Sequence, residues 1–84
     1  MMASDFIIQK YDPNQIIVEE GEPGSAYFII KEGSATMWKN DTFLRKLNKH
    51  ETFGEKALFY NIIRQTTVKA DELTTCLILT RERV

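Results

Sequence analysis

The hydrophobic residues of this chain fall into short runs separated by clusters of glycine, proline, asparagine and aspartate. Several runs alternate apolar with polar residues, as a strand does when it buries one face. The run at 26–31 is almost continuously apolar, which predicts a strand buried on both faces. The pattern as a whole predicts seven strands, at 5–11, 15–20, 26–31, 34–38, 42–47, 65–70 and 73–80.

The segments between these strands contain residues that favour tight turns. In residues 12–14, Pro13 fixes φ and Asn14 tolerates unusual backbone geometry. Residues 39–41 are predicted to form a hairpin turn, and residues 21–25 a tight loop with two glycines. Short strands joined by such turns predict a mainly β fold, an antiparallel sandwich or barrel. Residues 81–83 are polar and are predicted to begin a helix.

Length and composition restrict the possible classes of protein. With 84 residues the chain is one domain, which we expect to span residues 1–84 and to be a fragment of a longer protein. The formal net charge of −1 gives no electrostatic reason to expect a nucleic-acid partner. No apolar run approaches the roughly 20 residues of a membrane span, and no signal peptide is evident. The single Cys76 cannot form an internal disulfide, and we expect it to be a buried, unreactive thiol in a cytoplasmic protein.

Residues 52–68 carry the candidate chemistry. Gly54 and Ala57 leave room for a ligand to approach the backbone, and a short helix starting near Glu55 would direct unpaired N–H groups at an anion. Arg64 supplies a permanent charge and a planar set of donors that matches a phosphate. Glu55 is a suitable acceptor for a sugar hydroxyl. Together these residues suit a ligand with both a phosphate and a ribose, although Glu55 and Arg64 alone would also suit a plain surface ion pair.

Two motifs in this order and spacing resemble the cyclic nucleotide-binding domain family. The first is Gly21-Glu22-x-Gly24-x-x-Tyr27-Phe28-Ile29-Ile30-x-x-Gly33. The second resembles the family's phosphate-binding cassette, here residues 53–67, and its matching positions are Phe53, Gly54, Glu55, Ala57, Leu58, Arg64 and Thr67. The resemblance implies an eight-stranded antiparallel jelly-roll barrel with the cassette helix between strands six and seven. The cassette text is most similar to that of the regulatory domains of cGMP-dependent protein kinases.

The resemblance also implies a role for particular residues. Arg64 would bind the exocyclic phosphate oxygens, and Glu55 would accept from the ribose 2′-hydroxyl. Backbone N–H groups near Ala57 would complete the phosphate site, and Gly54 would let the sugar approach. The ligand-binding residues expected on this basis are Phe53, Gly54, Glu55, Lys56, Ala57, Leu58, Arg64, Gln65 and Thr66.

Some positions depart from the family's pattern. Glycine is usual where His50 stands, proline where Ile63 stands, and an apolar residue where Lys56 stands. A Thr or Ser directly after the arginine favours cGMP in the family, but Gln65 occupies that position here. Gln65 and Thr66 both bring hydrogen-bonding groups, and with the kinase-like cassette they favour cGMP over cAMP.

The resemblance implies an allosteric regulatory domain, with no catalytic residues and no cofactor besides the cyclic nucleotide itself. Its expected partner is a kinase catalytic domain in the same or another chain. Three alternatives stay open at this point: a non-binding interaction module of the same fold, the regulatory domain of a channel or transcription factor, and a cupin-like metalloenzyme. The last needs several histidines, and His50 is the only one.

Overall fold

The computed structural model describes residues 6–60 and 62–80, in which the chain forms ten strands and one short 3-10 helix, Glu55–Leu58. The strands are β1 (Ile7–Tyr11), β2 (Ile16–Val18), β3 (Pro23–Gly24), β4 (Ala26–Glu32), β5 (Ala35–Lys39), β6 (Thr42–Leu47), β7 (Thr52–Phe53), β8 (Ile62–Ile63), β9 (Thr67–Ala70) and β10 (Thr74–Thr80).

The strands form two four-stranded sheets and one small ribbon. The first sheet has the order β1-β10-β4-β7, the second has the order β2-β9-β5-β6, and β3 pairs with β8. Every pairing is antiparallel. Because neighbouring strands in each sheet are mostly distant in the sequence, the chain crosses repeatedly between the two sheets, as in a jelly roll. The predicted mainly β, antiparallel fold class is confirmed.

The number of strands differs from the expected eight. All seven strands predicted from the hydrophobic pattern are present, with ends that shift by up to two residues. The three additional strands, β3, β7 and β8, have two residues each, and two residues are too few to show any alternation. The 3-10 helix therefore lies between β7 and β8 rather than between the sixth and seventh strands. The helix predicted to begin at 81–83 lies outside the described residues.

The core lies between the two sheets. Along β4, Phe28 and Ile30 are buried, whereas Tyr27 and Ile29 on the opposite face are only half-buried. The prediction that this strand is buried on both faces is therefore wrong, since just one of its faces is fully covered. The buried apolar cluster consists of Val18, Phe28, Ile30, Ala35, Leu47, Phe53, Val68 and Cys76.

Two of the predicted turns form as expected, whereas the loop predicted at residues 21–25 contains the short strand β3, because Pro23 and Gly24 pair with β8. Asn40 and Asp41 have φ of 50° and 62°, which is the backbone geometry of a two-residue hairpin turn between β5 and β6. Asn14 also has positive φ, at 72°, and its N–H donates to the carbonyl oxygen of Ala70 at 2.8 Å.

Within the described part of the chain, no helix is long and apolar enough to cross a membrane.

Candidate functional site

A cavity of about 440 Å³ opens between the second sheet and the segment that contains the 3-10 helix. Val18 of β2 and Met37 of β5 contribute one wall, and the segment from β7 to the start of β9 contributes the other. The residues that line the cavity are Val18, Met37, Thr52, Phe53, Gly54, Glu55, Lys56, Ile62, Arg64, Gln65 and Thr66. The structure thus brings together, at one cavity, most of the residues that the sequence singles out.

The backbone of Arg64 is held by the loop that carries the first motif. The N–H of Arg64 donates to the carbonyl oxygen of Glu22 at 2.8 Å, and the N–H of Gly21 donates to the carbonyl oxygen of Arg64 at 2.9 Å. The pairing continues into the ribbon, where Gly24 lies opposite Ile62 and Pro23 opposite Ile63. The two sequence motifs therefore meet at Arg64, which lies 42 positions after Glu22 in the sequence.

The side chain of Arg64 turns inward along β4. Its Nη2 donates a hydrogen bond of 3.0 Å to the carbonyl oxygen of Ala26. Its Cζ lies 5.7 Å from the centre of the Phe28 ring, a cation–π distance, and Phe28 in turn stacks on Phe53 with ring centres 4.9 Å apart. Burial lowers the pKa of the Arg64 guanidinium from its ordinary value, which is high enough that the group stays charged at neutral pH.

Two glycines make room for that side chain. A Cβ built on Gly24 would lie 2.5 Å from Arg64 Nε, and one built on Gly54 would lie 2.8 Å from Arg64 Nη1 and 2.8 Å from the carbonyl oxygen of Ala26. Gly54 also has φ of 83°, a conformation that side chains other than glycine's rarely adopt. Gly54 was expected to admit a sugar, and the structure adds the guanidinium of Arg64 as a reason for its missing side chain.

Arg64 has no counter-charge among the described residues. Within residues 6–60 and 62–80, Lys49 and Glu32 form the one ion pair closer than 4.0 Å, and Glu55 does not pair with Arg64. Glu55 instead stands exposed at the first position of the 3-10 helix. The surface ion pair that the sequence left open is therefore not formed, and a half-buried cation faces a cavity without a carboxylate partner.

Ala57 lies behind the cavity rather than in its wall. Its side chain is fully buried, which explains the small residue at this position. Its N–H donates to the carbonyl oxygen of Gly54 at 3.1 Å and so closes the first turn of the 3-10 helix. That N–H would have to leave this turn in order to bond a phosphate. Leu58 ends the same helix.

Some lining residues were not anticipated from the sequence. Val18 and Met37 belong to strands with an ordinary core pattern, and nothing in that pattern separates a cavity wall from a packed interior. Thr52 and Ile62 belong to two-residue strands that the pattern does not predict. Thr67, a family-pattern position, lies outside this cavity, and its Oγ1 accepts a 3.0 Å hydrogen bond from the N–H of Glu20.

Comparison with known proteins gives a consistent result. The profile of the family described as "Cyclic nucleotide-binding domain" matches residues 8–84. A cGMP-dependent protein kinase of Plasmodium berghei (strain Anka) is 38% identical over 82 residues, covering 98% of this chain and 10% of the kinase. That of Toxoplasma gondii is 34% identical over 82 residues, covering 98% of this chain and 8% of the kinase. The chain thus spans about a tenth or less of these relatives.

Solved structures share the fold. The cAMP-bound structure of PfPKA-R (141-441) superposes with a TM-score of 0.87 at 32% identity, covering 92% of this chain and 27% of that one. PKAR CBD2 with bound Sp-2Cl-cAMPS also gives 0.87 at 32% identity, covering 93% of this chain and 53% of that one. The Catabolite Activator Protein of Thermus thermophilus gives 0.87 at 26% identity, with 93% and 39% covered.

Proposed function

The chain belongs to the cyclic nucleotide-binding domain family, and from this premise we propose that the cavity beside Arg64 binds a cyclic nucleotide, with cGMP favoured over cAMP. The observation that carries the proposal is the half-buried guanidinium of Arg64, which lines the cavity without a carboxylate partner among the described residues. A cation taken partly out of water gains from an anion that replaces the lost solvation. The single negative charge of a cyclic phosphate matches that requirement.

The remaining donors of Arg64 suit the phosphate. Nη2 is engaged by the carbonyl oxygen of Ala26, which fixes the plane of the guanidinium. The group carries five N–H donors in a fixed arrangement, so several stay available for phosphate oxygens. A side chain fixed in advance loses less entropy when a ligand binds, and this preorganisation favours affinity.

The cavity also provides for the sugar and the base. Its volume of about 440 Å³ lies within the usual range for small-ligand sites, roughly 300–1,000 Å³. Glu55, exposed at the cavity beside the helix start, is assigned to the ribose 2′-hydroxyl. Phe53, Gly54 and Lys56 border the same space, and Val18 and Met37 offer an apolar wall.

The choice of base rests on Gln65 and Thr66. Both line the cavity and both offer donors and acceptors for the edge of a purine. The similarity to cGMP-dependent kinases favours guanine, whereas the similar solved structures PfPKA-R and PKAR CBD2 hold cAMP or a cAMP analogue. We assign the preference to cGMP because the amide of Gln65 can either donate to the carbonyl oxygen of guanine or accept from its amino group.

The regulatory part of the proposal concerns the rest of the protein. The chain corresponds to about a tenth or less of the kinases it resembles. Binding here would act on a kinase catalytic domain, in the same chain or a partner, by favouring one of two conformations to which the nucleotide has different affinity.

A cytoplasmic location fits the lone, buried and unpaired thiol of Cys76.

Calorimetric titration with cGMP, cAMP and linear 5′-GMP tests this proposal. We expect saturable binding of both cyclic nucleotides, tighter for cGMP, and much weaker binding of 5′-GMP, whose phosphate is not held in a ring. Circular dichroism with a cooperative thermal transition confirms that the titrated protein is folded. If the folded protein binds neither cyclic nucleotide, the proposal is wrong and the alternative of a non-binding interaction module of the same fold is favoured.

A further inference from the structure

Gly24 of β3 packs directly against the guanidinium of Arg64. A Cβ built on Gly24 would have as its three nearest heavy atoms Nε, Cζ and Cδ of Arg64, at 2.5, 2.7 and 3.0 Å. Real Cβ atoms essentially never approach another heavy atom closer than 3.0 Å. With any side chain at position 24, Arg64 must therefore move away from its observed place.

The backbone does not explain why position 24 is glycine. Gly21, Gly33 and Gly54 all have positive φ, but Gly24 does not. Gly24 lies in a strand conformation that any residue can adopt and pairs with Ile62 across the ribbon. The close approach of Arg64 is the physical requirement for glycine that remains.

The position of the Arg64 guanidinium depends on this contact. The guanidinium lies in close contact with Gly24 on one side and with Gly54 on another, where an added Cβ would lie 2.8 Å from Nη1. Between them, Nη2 reaches the carbonyl oxygen of Ala26. Charge-assisted hydrogen bonds depend on distance and angle, so a guanidinium that moves away from an added methyl group would lose this geometry.

We propose that Gly24 is a positioning residue for the ligand: the absence of a side chain at position 24 sets where the Arg64 guanidinium lies and thereby sets the affinity for the phosphate. Gly24 does not line the cavity itself, so the effect passes through Arg64. This inference rests on the proposed function, because it assigns Arg64 to the phosphate. The first motif then has two tasks, since Gly21 and Glu22 hold the backbone of Arg64 and Gly24 admits its side chain.

We expect Gly24→Ala to weaken cGMP binding while leaving the stability of the fold almost unchanged. The atoms that meet the new methyl group form the far end of a flexible side chain, so Arg64 can swing away while the backbone stays in place. We expect a small change in the thermal midpoint. We expect affinity for cGMP to fall about tenfold or more, the order of loss that follows when a hydrogen bond to a charged group is broken. Ser25→Ala, an exposed neighbour in sequence, should match the parent in both measurements.

The closing experiment follows the position of Arg64 directly. The Nε–H resonance of Arg64, assigned in a ¹⁵N-labelled sample by its loss in Arg64→Lys, is compared in the parent, Gly24→Ala and Ser25→Ala without nucleotide, and cGMP is then titrated into each. We expect a shifted resonance and weakened binding in Gly24→Ala alone. If the parent binds cGMP and Gly24→Ala shows an unchanged resonance or unchanged affinity, the positioning role is wrong. If the parent binds no cyclic nucleotide, the proposed function itself fails, whatever the resonance does.

Discussion

Nη2 of Arg64 donates a 3.0 Å hydrogen bond to the carbonyl oxygen of Ala26, across 38 positions of sequence. This bond joins the segment after β8 to the start of β4, and the stacked Phe28 and Phe53 rings lie beside it. The side chain is thus oriented by the protein's own groups, with a carbonyl on one side and a cavity on the other. We infer that the fold fixes the direction of the positive charge and leaves the counter-charge to a ligand.

The assignment of Glu55 to the ribose predicts a selective loss. Glu55→Gln keeps the shape of the side chain but removes its charge, and a hydrogen bond to a charged group contributes about 1.5–3 kcal/mol, less where solvent reaches it, as here. We expect the parent to bind cGMP more tightly than 2′-deoxy-cGMP, and this difference to shrink in Glu55→Gln. Calorimetric titration of both proteins with both ligands completes the comparison. An equal loss of affinity for the two ligands would contradict the role.

The proposed base preference is tested at two positions. We expect the parent to bind cGMP more tightly than cAMP by at most about 1–3 kcal/mol, because a polar group that the wrong base covers and leaves unpaired carries a cost, which is smaller at the solvent-exposed Gln65. Gln65→Ala and Thr66→Ala should each reduce this difference, and Gln65→Ala should reduce it more. Titration of the parent and of each variant with both nucleotides measures the difference in binding free energy between cGMP and cAMP. A parent that prefers cAMP would contradict the assignment to cGMP, and a preference unchanged in both variants would move the discrimination to other residues.

The departure at His50 has a structural consequence for stability. His50 has φ of 77°, in the left-handed region, and its N–H donates to the carbonyl oxygen of Ile30 at 2.7 Å. A side chain in that region costs about 1–2 kcal/mol, whereas glycine loses roughly 0.5–1 kcal/mol more entropy on folding. We therefore expect His50→Gly to raise the free energy of unfolding by about 0.5–1 kcal/mol.

Urea denaturation measures that change, with His50→Ala as the matched control. Alanine removes the imidazole but keeps a Cβ in the left-handed conformation, so we expect no gain in stability. A His50→Gly protein that is no more stable than His50→Ala would show that the backbone at this position is not under strain.

Most of the fold followed from the sequence because its long strands have regular patterns. The alternation around Val68 and Ala70 in β9 and the turn at Asn40 and Asp41 are local features, and local features can be read from neighbouring residues. The interpretation as a regulatory binding domain rather than an enzyme is confirmed by the family to which the chain belongs. The family resemblance was needed to predict that Arg64 and Glu55 share a binding site, because the opposite charges of these two residues fit an exposed ion pair equally well.

The remaining features depend on contacts between distant segments. Gly24 looks like an ordinary loop glycine until Arg64 is placed beside it. Val18 and Met37 look like core residues in the sequence. They line a cavity because the segment with the 3-10 helix lies across from them, and this placement depends on tertiary structure. Thr67 satisfies the family pattern, but its hydroxyl joins β9 to the turn after β2 by accepting a hydrogen bond from the N–H of Glu20. Local patterns cannot show such tertiary relationships.

Burial of Cys76 predicts a pH dependence of stability. The thiol is fully buried, and burial raises its pKa to about 11, so the thiol in the unfolded chain ionises first as the pH rises. Stability is therefore fully present below the ordinary thiol pKa of about 8.5 and is lost as the pH rises toward 11. A difference of about 2.5 pKa units corresponds to about 3 kcal/mol of stability lost by pH 11, and we expect this loss to be absent in Cys76→Ala.

Denaturation with urea at pH 7.5, 9, 10 and 11 checks this dependence. Burial also raises the pKa of Tyr11, with a smaller contribution from Cys76, but Tyr11 is present in both proteins. Parallel stability profiles for the parent and Cys76→Ala would show that the thiol does not contribute. The thiol should also react with Ellman's reagent only after unfolding, since the buried thiol is both inaccessible and protonated.

The central claim is that Arg64 binds the phosphate of a cyclic nucleotide. Arg64→Ala removes the charge-assisted partner of a phosphate that the cavity partly shields from water, a loss on the order of 2–5 kcal/mol. Arg64→Lys keeps the charge but loses the planar donors, and we expect an intermediate affinity. Arg45→Ala, an exposed arginine on β6 outside the cavity, is the matched control.

Calorimetric titration of these four proteins with cGMP, each shown to be folded by circular dichroism, is the most direct measurement. We predict unchanged affinity in Arg45→Ala, weakened affinity in Arg64→Lys, and an affinity for Arg64→Ala lower than that of the parent by at least about thirtyfold, the equivalent of 2 kcal/mol. A folded Arg64→Ala protein that binds cGMP as tightly as the parent would contradict the account.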